Sequence, residues 1–337
     1  MKKIYSLVLV LFAINIIAQD SGPLKYVNCK AAKHMFRDED EDNIHIDAMQ
    51  FSPDGKTLAV SVNDDIKFFD PMDLKETEKS KNMYHYFGSI KTFRYSKDGK
   101  KIAYSGYGIQ GVKTVALADD VKNGKYKVKR ENVDFEYSPD GKTLAIAEDG
   151  ITIFDTESGK KVKEIGNDDE FYYNLSYDPT GKYIAGSIMS KTEIYDIESG
   201  EIVSIIEGKG KDIIFTPKGD LLVFIGYSGD ITVWDVATGE KKDEVYGFAK
   251  RESHQGNAFS PDGKYFFTGT QYKSEGYTDK TIRLVWDGHT FNNITCAESD
   301  DDDIFADYIT VSPDGKYIAF KLYKSFGPLI NVYEIIP

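Results

Sequence analysis

One six-residue pattern recurs seven times in the 337-residue chain, at Phe51–Lys56, Tyr95–Lys100, Tyr137–Lys142, Tyr177–Lys182, Phe215–Asp220, Phe259–Lys264 and Val311–Lys316. Its fullest form is aromatic-Ser-Pro-Asp-Gly-Lys. The glycines Gly55, Gly99, Gly141, Gly181, Gly219, Gly263 and Gly315 stand 44, 42, 40, 38, 44 and 52 residues apart. The chemistry is that of a tight turn: Ser accepts at the first position, Pro presets φ at the second, Asp tolerates the third, and Gly supplies the positive φ that closes a hairpin. A chain that makes the same turn seven times is built from one repeated unit, although its length alone would suggest two domains.

The runs beside each turn are short and β-rich, such as Thr57–Val62 followed by Ile66–Asp70, or Ile151–Asp155 followed by Thr156–Gly159. Gly, Asn and Asp punctuate them, and no helical periodicity of useful length follows residue 18. A period of about 40 to 45 residues is that of a four-stranded propeller blade. The expected fold class is therefore all-β, a seven-bladed β-propeller of four-stranded antiparallel blades. The turn, Val233–Asp235 ending a third strand and Ala237–Glu240 at the following turn resemble WD40 repeats. Phe69–Asp70, Phe154–Asp155, Tyr195–Asp196 and Trp286–Asp287 echo them. The resemblance covers residues 33–337 and implies an exported bacterial member of the WD40-like propellers. The family's Gly-His dipeptide does not recur from repeat to repeat, Gly288–His289 standing once and directly after Trp286–Asp287, and its buried Asp-His-Ser-Trp network is not carried over. TolB-like and lactonase-like propellers share the Ser-Pro-Asp-Gly turn and are the nearest rivals.

Ring closure is also expected. The last repeat ends with Val332–Pro337 as its third strand, so an N-terminal strand, placed at Lys33–Phe36, should supply the fourth and remove the open edges. That divides the chain into residues 1–18, an extension at 19–32 and the propeller at 33–337. Lys2 and Lys3 before the apolar run Ile4–Ile17, with Ala18 ahead of Gln19, form a secretory signal peptide. It resembles those of Gram-negative bacteria, predicting a secreted or periplasmic protein that does not span a membrane after cleavage. An exported compartment permits a disulfide between Cys29 and Cys296, or leaves them as two free thiols.

The formal charge is −13, and more negative once Lys2 and Lys3 are removed. That excludes a nucleic-acid partner, whose phosphates demand a basic face. Acidic residues concentrate at Asp38, Glu39, Asp40, Glu41 and Asp42, and again at Glu298, Asp300, Asp301, Asp302 and Asp303. Both runs fall between one blade's outer strand and the next blade's inner strand, so they emerge on one face as neighbours. Asn167–Glu170 is a weaker run on the same face. Tyr272 and Tyr277 in an insertion of blade six, and Phe326 in the segment Tyr323–Pro328 of blade seven, add aromatics beside that charge. Blades six, seven and one are thus expected to bind a protein partner with a basic contact surface, while a solvated face is the ordinary meaning of such runs.

No catalytic or cofactor signature accompanies this surface, and the chain is not expected to be an enzyme. None of His34, His45, His85, His254 and His289 has zinc spacing, and no Cys-x-x-Cys pair exists. Gly106–Thr114 has Val112 where a phosphate loop needs Lys, no Gly-x-Ser-x-Gly occurs, and the Ser-x-x-Lys spacing of Ser158–Lys161 is without the Ser-Asp-Asn and Lys-Thr-Gly motifs that accompany it in a catalytic site. Asp38, Asp40 and Asp42 alternate like the opening of a calcium loop, but Asn43 and Met49 stand where Gly and a bidentate Glu are required. Two alternatives remain: calcium held by the acidic loops, or a lactonase-like hydrolase with a metal at the central channel held among Asp47, Asp134, Asn174, Asp212 and Asp307.

Overall fold

A computed structural model describes residues 24–31, 45–63, 65–77, 89–208, 212–226, 230–245, 256–268, 281–291, 293–298, 305–324 and 327–335. They form seven antiparallel sheets, six with four strands and one, blade one, with three among the described residues. No described residue is helical, so no described helix is long and apolar enough to cross a membrane. The inner strands are Met49–Phe51, Ser89–Tyr95, Phe135–Tyr137, Asn174–Tyr177, Asp212–Phe215, Asn257–Phe259 and Phe305–Val311. Three further strands follow in order outward from most of them, giving the expected seven-bladed propeller.

Closure is by an N-terminal strand, as the incomplete last repeat requires. Leu24–Ala31 pairs antiparallel with Gly327–Ile335, from Leu24 opposite Ile335 to Ala31 opposite Leu329, as the outer strand of blade seven. This strand lies upstream of Lys33–Phe36, which is outside the described residues. The eight-residue run 24–31 is free of acidic residues and matches a long partner strand, whereas Lys33–Phe36 leads directly into Asp38–Asp42.

The repeated turn does more than reverse the chain. In blade one, Gly55 N donates to Ser52 O at 2.8 Å and Ser52 Oγ to Asp54 Oδ1 at 2.6 Å, while Lys56 N also reaches Asp54 Oδ1 at 3.1 Å. The same Ser–Asp bond recurs at Ser96, Ser138, Ser260 and Ser312. In blade four Asp178 replaces the serine and accepts Tyr183 N at 2.6 Å. Gly55 has φ 70° and Gly263 φ 72°, and side chains rarely adopt that conformation. Each turn also touches the next. A β-carbon at Gly263 would lie 3.4 Å from Pro217, one at Gly181 3.4 Å from Pro139, and one at Gly55 3.9 Å from Pro313, which carries the series across the closure.

In blades one and three to six an aspartate at the end of the third strand caps the second turn. Asp155 Oδ1 accepts Ser158 N at 2.7 Å and Ser158 Oγ at 2.6 Å, and Asp196, Asp235 and Asp287 repeat the arrangement. The bonds from Ser158 hold the Asp155 carboxyl below its usual range. This explains why Asp recurs after the aromatic at the end of those five third strands. The segment Gly106–Thr114, read above as a phosphate-loop look-alike, is the hairpin between Lys101–Tyr107 and Ile109–Ala116, turning at Gly108. Tyr323–Pro328 likewise belongs mainly to a strand pair, with Tyr323 opposite Pro328.

The core lies between blades. Met49, Phe51, Leu58, Val60 and Phe69 of blade one pack with Ala319, Ile330 and Val332 of blade seven. Ala145, Ile151 and Ile153 of blade three pack with Leu175, Tyr177 and Ile184 of blade four. Because each fully buried Leu, Ile or Phe contributes about 1.5–3 kcal/mol, the ring is stable only when every blade has a neighbour on both sides. Removing residues 24–31 should therefore lower the midpoint of urea unfolding of the whole ring in one transition. Loss of a minor early transition with the main midpoint unchanged would show that closure is dispensable.

Candidate functional site

In each blade the hexapeptide turn lies at one end, joined there by the aspartate turn in five blades, while the second-to-third strand connection and the step to the next blade lie at the other. The turn end is nearly uniform. The other end varies: Asp149 alone separates two strands in blade three, Ile188–Ser190 in blade four, and residues 226–230 in blade five. Asp38, Glu39, Asp40, Glu41, Asp42, Asp300, Asp301, Asp302, Asp303, Tyr272, Tyr277 and Phe326 lie outside the described residues. Glu298 ends the outer strand of blade six, opposite Thr281. Cys29 is opposite Asn331 and Cys296 opposite Arg283, on the outer strands of blades seven and six.

Three of the five channel candidates, Asp47, Asp134 and Asp212, make contacts between blades. Asp134 Oδ2 accepts Leu175 N of blade four at 2.9 Å, and Asp212 Oδ2 accepts Asn257 Nδ2 of blade six at 2.7 Å. Asn174 opens the inner strand of blade four opposite Ser187. Asp47 sits one position out of line with these, at a 3.0 Å ion pair to Lys91. Asp307 is opposite Lys321 in blade seven. Among the described residues no group of three or more His, Cys, Asp or Glu side chains is arranged to hold a metal ion.

Two places further along the same strands is a set of latches that motif reading did not single out. Gln50 Oε1 accepts Tyr95 N at 2.9 Å, Glu136 Oε2 accepts Tyr177 N at 2.7 Å, Ser176 Oγ accepts Phe215 N at 3.4 Å, and Thr310 Oγ1 accepts Phe51 N at 3.3 Å. Each satisfies an inner-edge amide of the following blade that no strand pairs. Alignment of the repeats was the available signal, since these residues, with Arg94, Ile214 and Ala258, all immediately precede the first residue of the hexapeptide.

Arg94 donates to Thr92 Oγ1 at 2.9 Å and to Phe93 O at 3.0 Å. Its charge favours ionisation of Asp134, Glu136 and Asp212, but burial opposes ionisation more strongly and raises all three carboxyls. Glu136 is pushed up to about 7. A second buried carboxylate behaves oppositely. Glu193 accepts Tyr172 Oη at 2.5 Å, the Tyr195 hydroxyl, and an ion pair from Lys191 at 2.7 Å. Burial works against its ionisation, yet these donors outweigh it and leave the carboxyl below its usual range.

Because the folded pKa of Glu136 lies above its unfolded value, the native state holds an extra proton between about pH 4.5 and 7, and the stability it contributes falls as pH rises through that window. Glu136→Gln keeps an acceptor for Tyr177 N and removes the charge. The variant should gain roughly 1–3 kcal/mol over the wild type at pH 8 and little at pH 4, read from urea unfolding at both pH values. Equal effects at the two pH values would mean that the carboxyl ionises normally.

Comparison with known proteins places related sequence within the ring. The family model for Eukaryotic translation initiation factor eIF2A matches residues 173–275, from the start of blade four into blade six. The Meiotic recombination protein rec14 of Schizosaccharomyces pombe (strain 972 / ATCC 24843) is 30% identical over 110 residues, 31% of this chain and 36% of that protein. The match thus spans about a third of the relative's length. Seven turn-linked blades and the closing strand make the chain a seven-bladed β-propeller, and within that ring it is similar to these two proteins.

Proposed function

We propose that this protein is a non-enzymatic interaction scaffold of the periplasm or cell exterior, which engages a partner with a basic contact surface through its loop end. The observation that carries the reading is the contrast between the ends: one carries the same two turns in blade after blade, while the other changes from one residue to several. A rigid ring with one variable end is suited to recognition, because loops can change without disturbing the packing between blades. Neither related protein's name describes a catalytic activity, and the channel carboxylates Asp134 and Asp212 are bonded to neighbouring blades.

The acidic runs 38–42 and 298–303 supply the charge in this reading. Their place in the sequence assigns them to the steps into blades one and seven, beside Tyr272, Tyr277 and Phe326. Such a concentration of negative charge speeds encounter with a basic surface and makes binding sensitive to salt. In a pull-down from the cell envelope, neutralising both runs should abolish capture of a partner held by the wild type and flatten the salt dependence. Undiminished capture would exclude these runs as the contact. The signal peptide carries the localisation, and N-terminal sequencing of the exported chain should begin near Gln19. A chain retaining Met1 in the cytoplasm would overturn the localisation.

A further inference from the structure

Away from blades six, seven and one, the loop end carries an ordered apolar strip. We propose that Tyr107, Phe171 and Met189, on blades two to four, form a docking surface for a basic protein segment bearing large apolar side chains. The proposal deepens the scaffold reading and rests on it. All three residues are exposed, by 56%, 41% and 70% of their surface, and all three lie at the loop end.

Hydrogen bonds link the segments that carry them. The Tyr107 hairpin is held to the step into blade three by Gly108 N, which donates to Glu131 Oε2 at 2.6 Å. The adjoining Arg130 forks onto Asp149 Oδ1 at 2.9 and 2.6 Å and lies 4.8 Å from the centre of the Phe171 ring. Phe171 bridges Asp149, and Gly150 N donates to Glu170 O at 3.1 Å. Tyr173 then donates from its amide to Ser187 O at 3.0 Å and from its hydroxyl to Ile188 O at 2.9 Å, beside Met189. Lys191, at the far side of that hairpin, feels the charge of Glu170. The loop from Gly166 to Tyr173 is therefore stitched to hairpins on both sides and needs little ordering on binding.

Composition and charge indicate the occupant. An aromatic stacked on an arginine, with a tyrosine and a methionine nearby, is the mixture enriched at the centres of interfaces. Glu131, Asp149, Asp168, Asp169 and Glu170 belong to the same segments, and the cations against the strip are already paired: Arg130 with Asp149, Lys191 with Glu193, and Lys91, 5.7 Å from the centre of the Tyr107 ring, with Asp47. The remaining field is negative. It repels nucleic acid and anionic lipid, and it repels a second copy offering the same patch, but it complements lysines and arginines flanking an apolar anchor.

The test uses the mature full-length chain and a fluorescent peptide alternating Lys with Leu and Trp. One control peptide has Glu for Lys, and the other has Ser for Leu and Trp. The first peptide should bind, both controls should bind at least about tenfold more weakly, and added salt should weaken binding. Phe171→Ser with Met189→Ser, and separately Asp168→Asn with Asp169→Asn and Glu170→Gln, should each weaken it by about tenfold or more while unchanged urea midpoints show that the ring is intact. Binding should survive neutralisation of residues 38–42 and 298–303. Wild-type affinity in the Phe171/Met189 variant would overturn the strip. If binding were then lost on neutralising the two runs, the scaffold reading would stand without it. Failure of the first peptide to bind the wild type would likewise overturn the strip, leaving the scaffold reading to its own pull-down. Concentration-dependent dimerisation abolished by Met189→Ser, or equal binding to anionic vesicles, would reassign the surface and overturn it too.

Discussion

Antiparallel hydrogen bonds between Leu24–Ala31 and Gly327–Ile335 bring the two ends of a linear array into one sheet. Everything else in the fold is local or between neighbours: strands pair within blades, and side chains pack from each blade to the next. Without the closing pair, blades one and seven would each present an uncovered apolar face, and Met49, Phe51 and Phe69 would lose Ile330 and Val332. The closure therefore determines whether the latches and the proline-to-glycine contacts form a ring or an open series. That ring in turn holds the loop end still enough to recognise anything.

Much of this architecture was legible because its determinants are local. Ser52, Asp54 and Gly55 specify their turn through bonds among themselves, and Asp155 caps the next one within five residues. The spacing of such turns gives the blades, and the incomplete last repeat gives the need for a closing strand. The identity of that strand was not legible, since pairing over some three hundred residues leaves no local mark and Leu24–Ala31 carries no turn signature. The same limit applied to the site. Asp134 and Asp212 were found as channel residues, but their bonds to Leu175 and Asn257 are set by the neighbouring blade. Phe171 reads as one more core aromatic beside Tyr172, and only the fold turns it outward while Tyr172 is buried.

The buried charges show how the environment divides chemically similar groups. Glu136 and Glu193 both accept hydrogen bonds within the ring, yet burial dominates for the first and the Lys191, Tyr172 and Tyr195 donors for the second. One therefore weakens the fold as pH rises and the other as pH falls, so the two effects oppose each other across the acidic range. Glu136, bonded to Tyr177 N of the next blade, and Glu193, bonded to Lys191, Tyr172 and Tyr195, each hold one arrangement of blades three and four. Their positions, on an inner strand and on the third strand of a neighbouring blade, fit that role.

The register of the closing pair also sets a direction of mechanical weakness. Leu24 lies opposite Ile335, so the first residue of one strand and the last of the other stand at the same end of the sheet. Tension between them would load the hydrogen bonds one after another, starting at that end, instead of sharing the force along the whole strand pair. A pull exerted through the loop end would instead be distributed over several blades by their packed faces. The ring should thus withstand force from a bound partner better than force between its own ends, and the point where the chain closes is also the point where traction would open it.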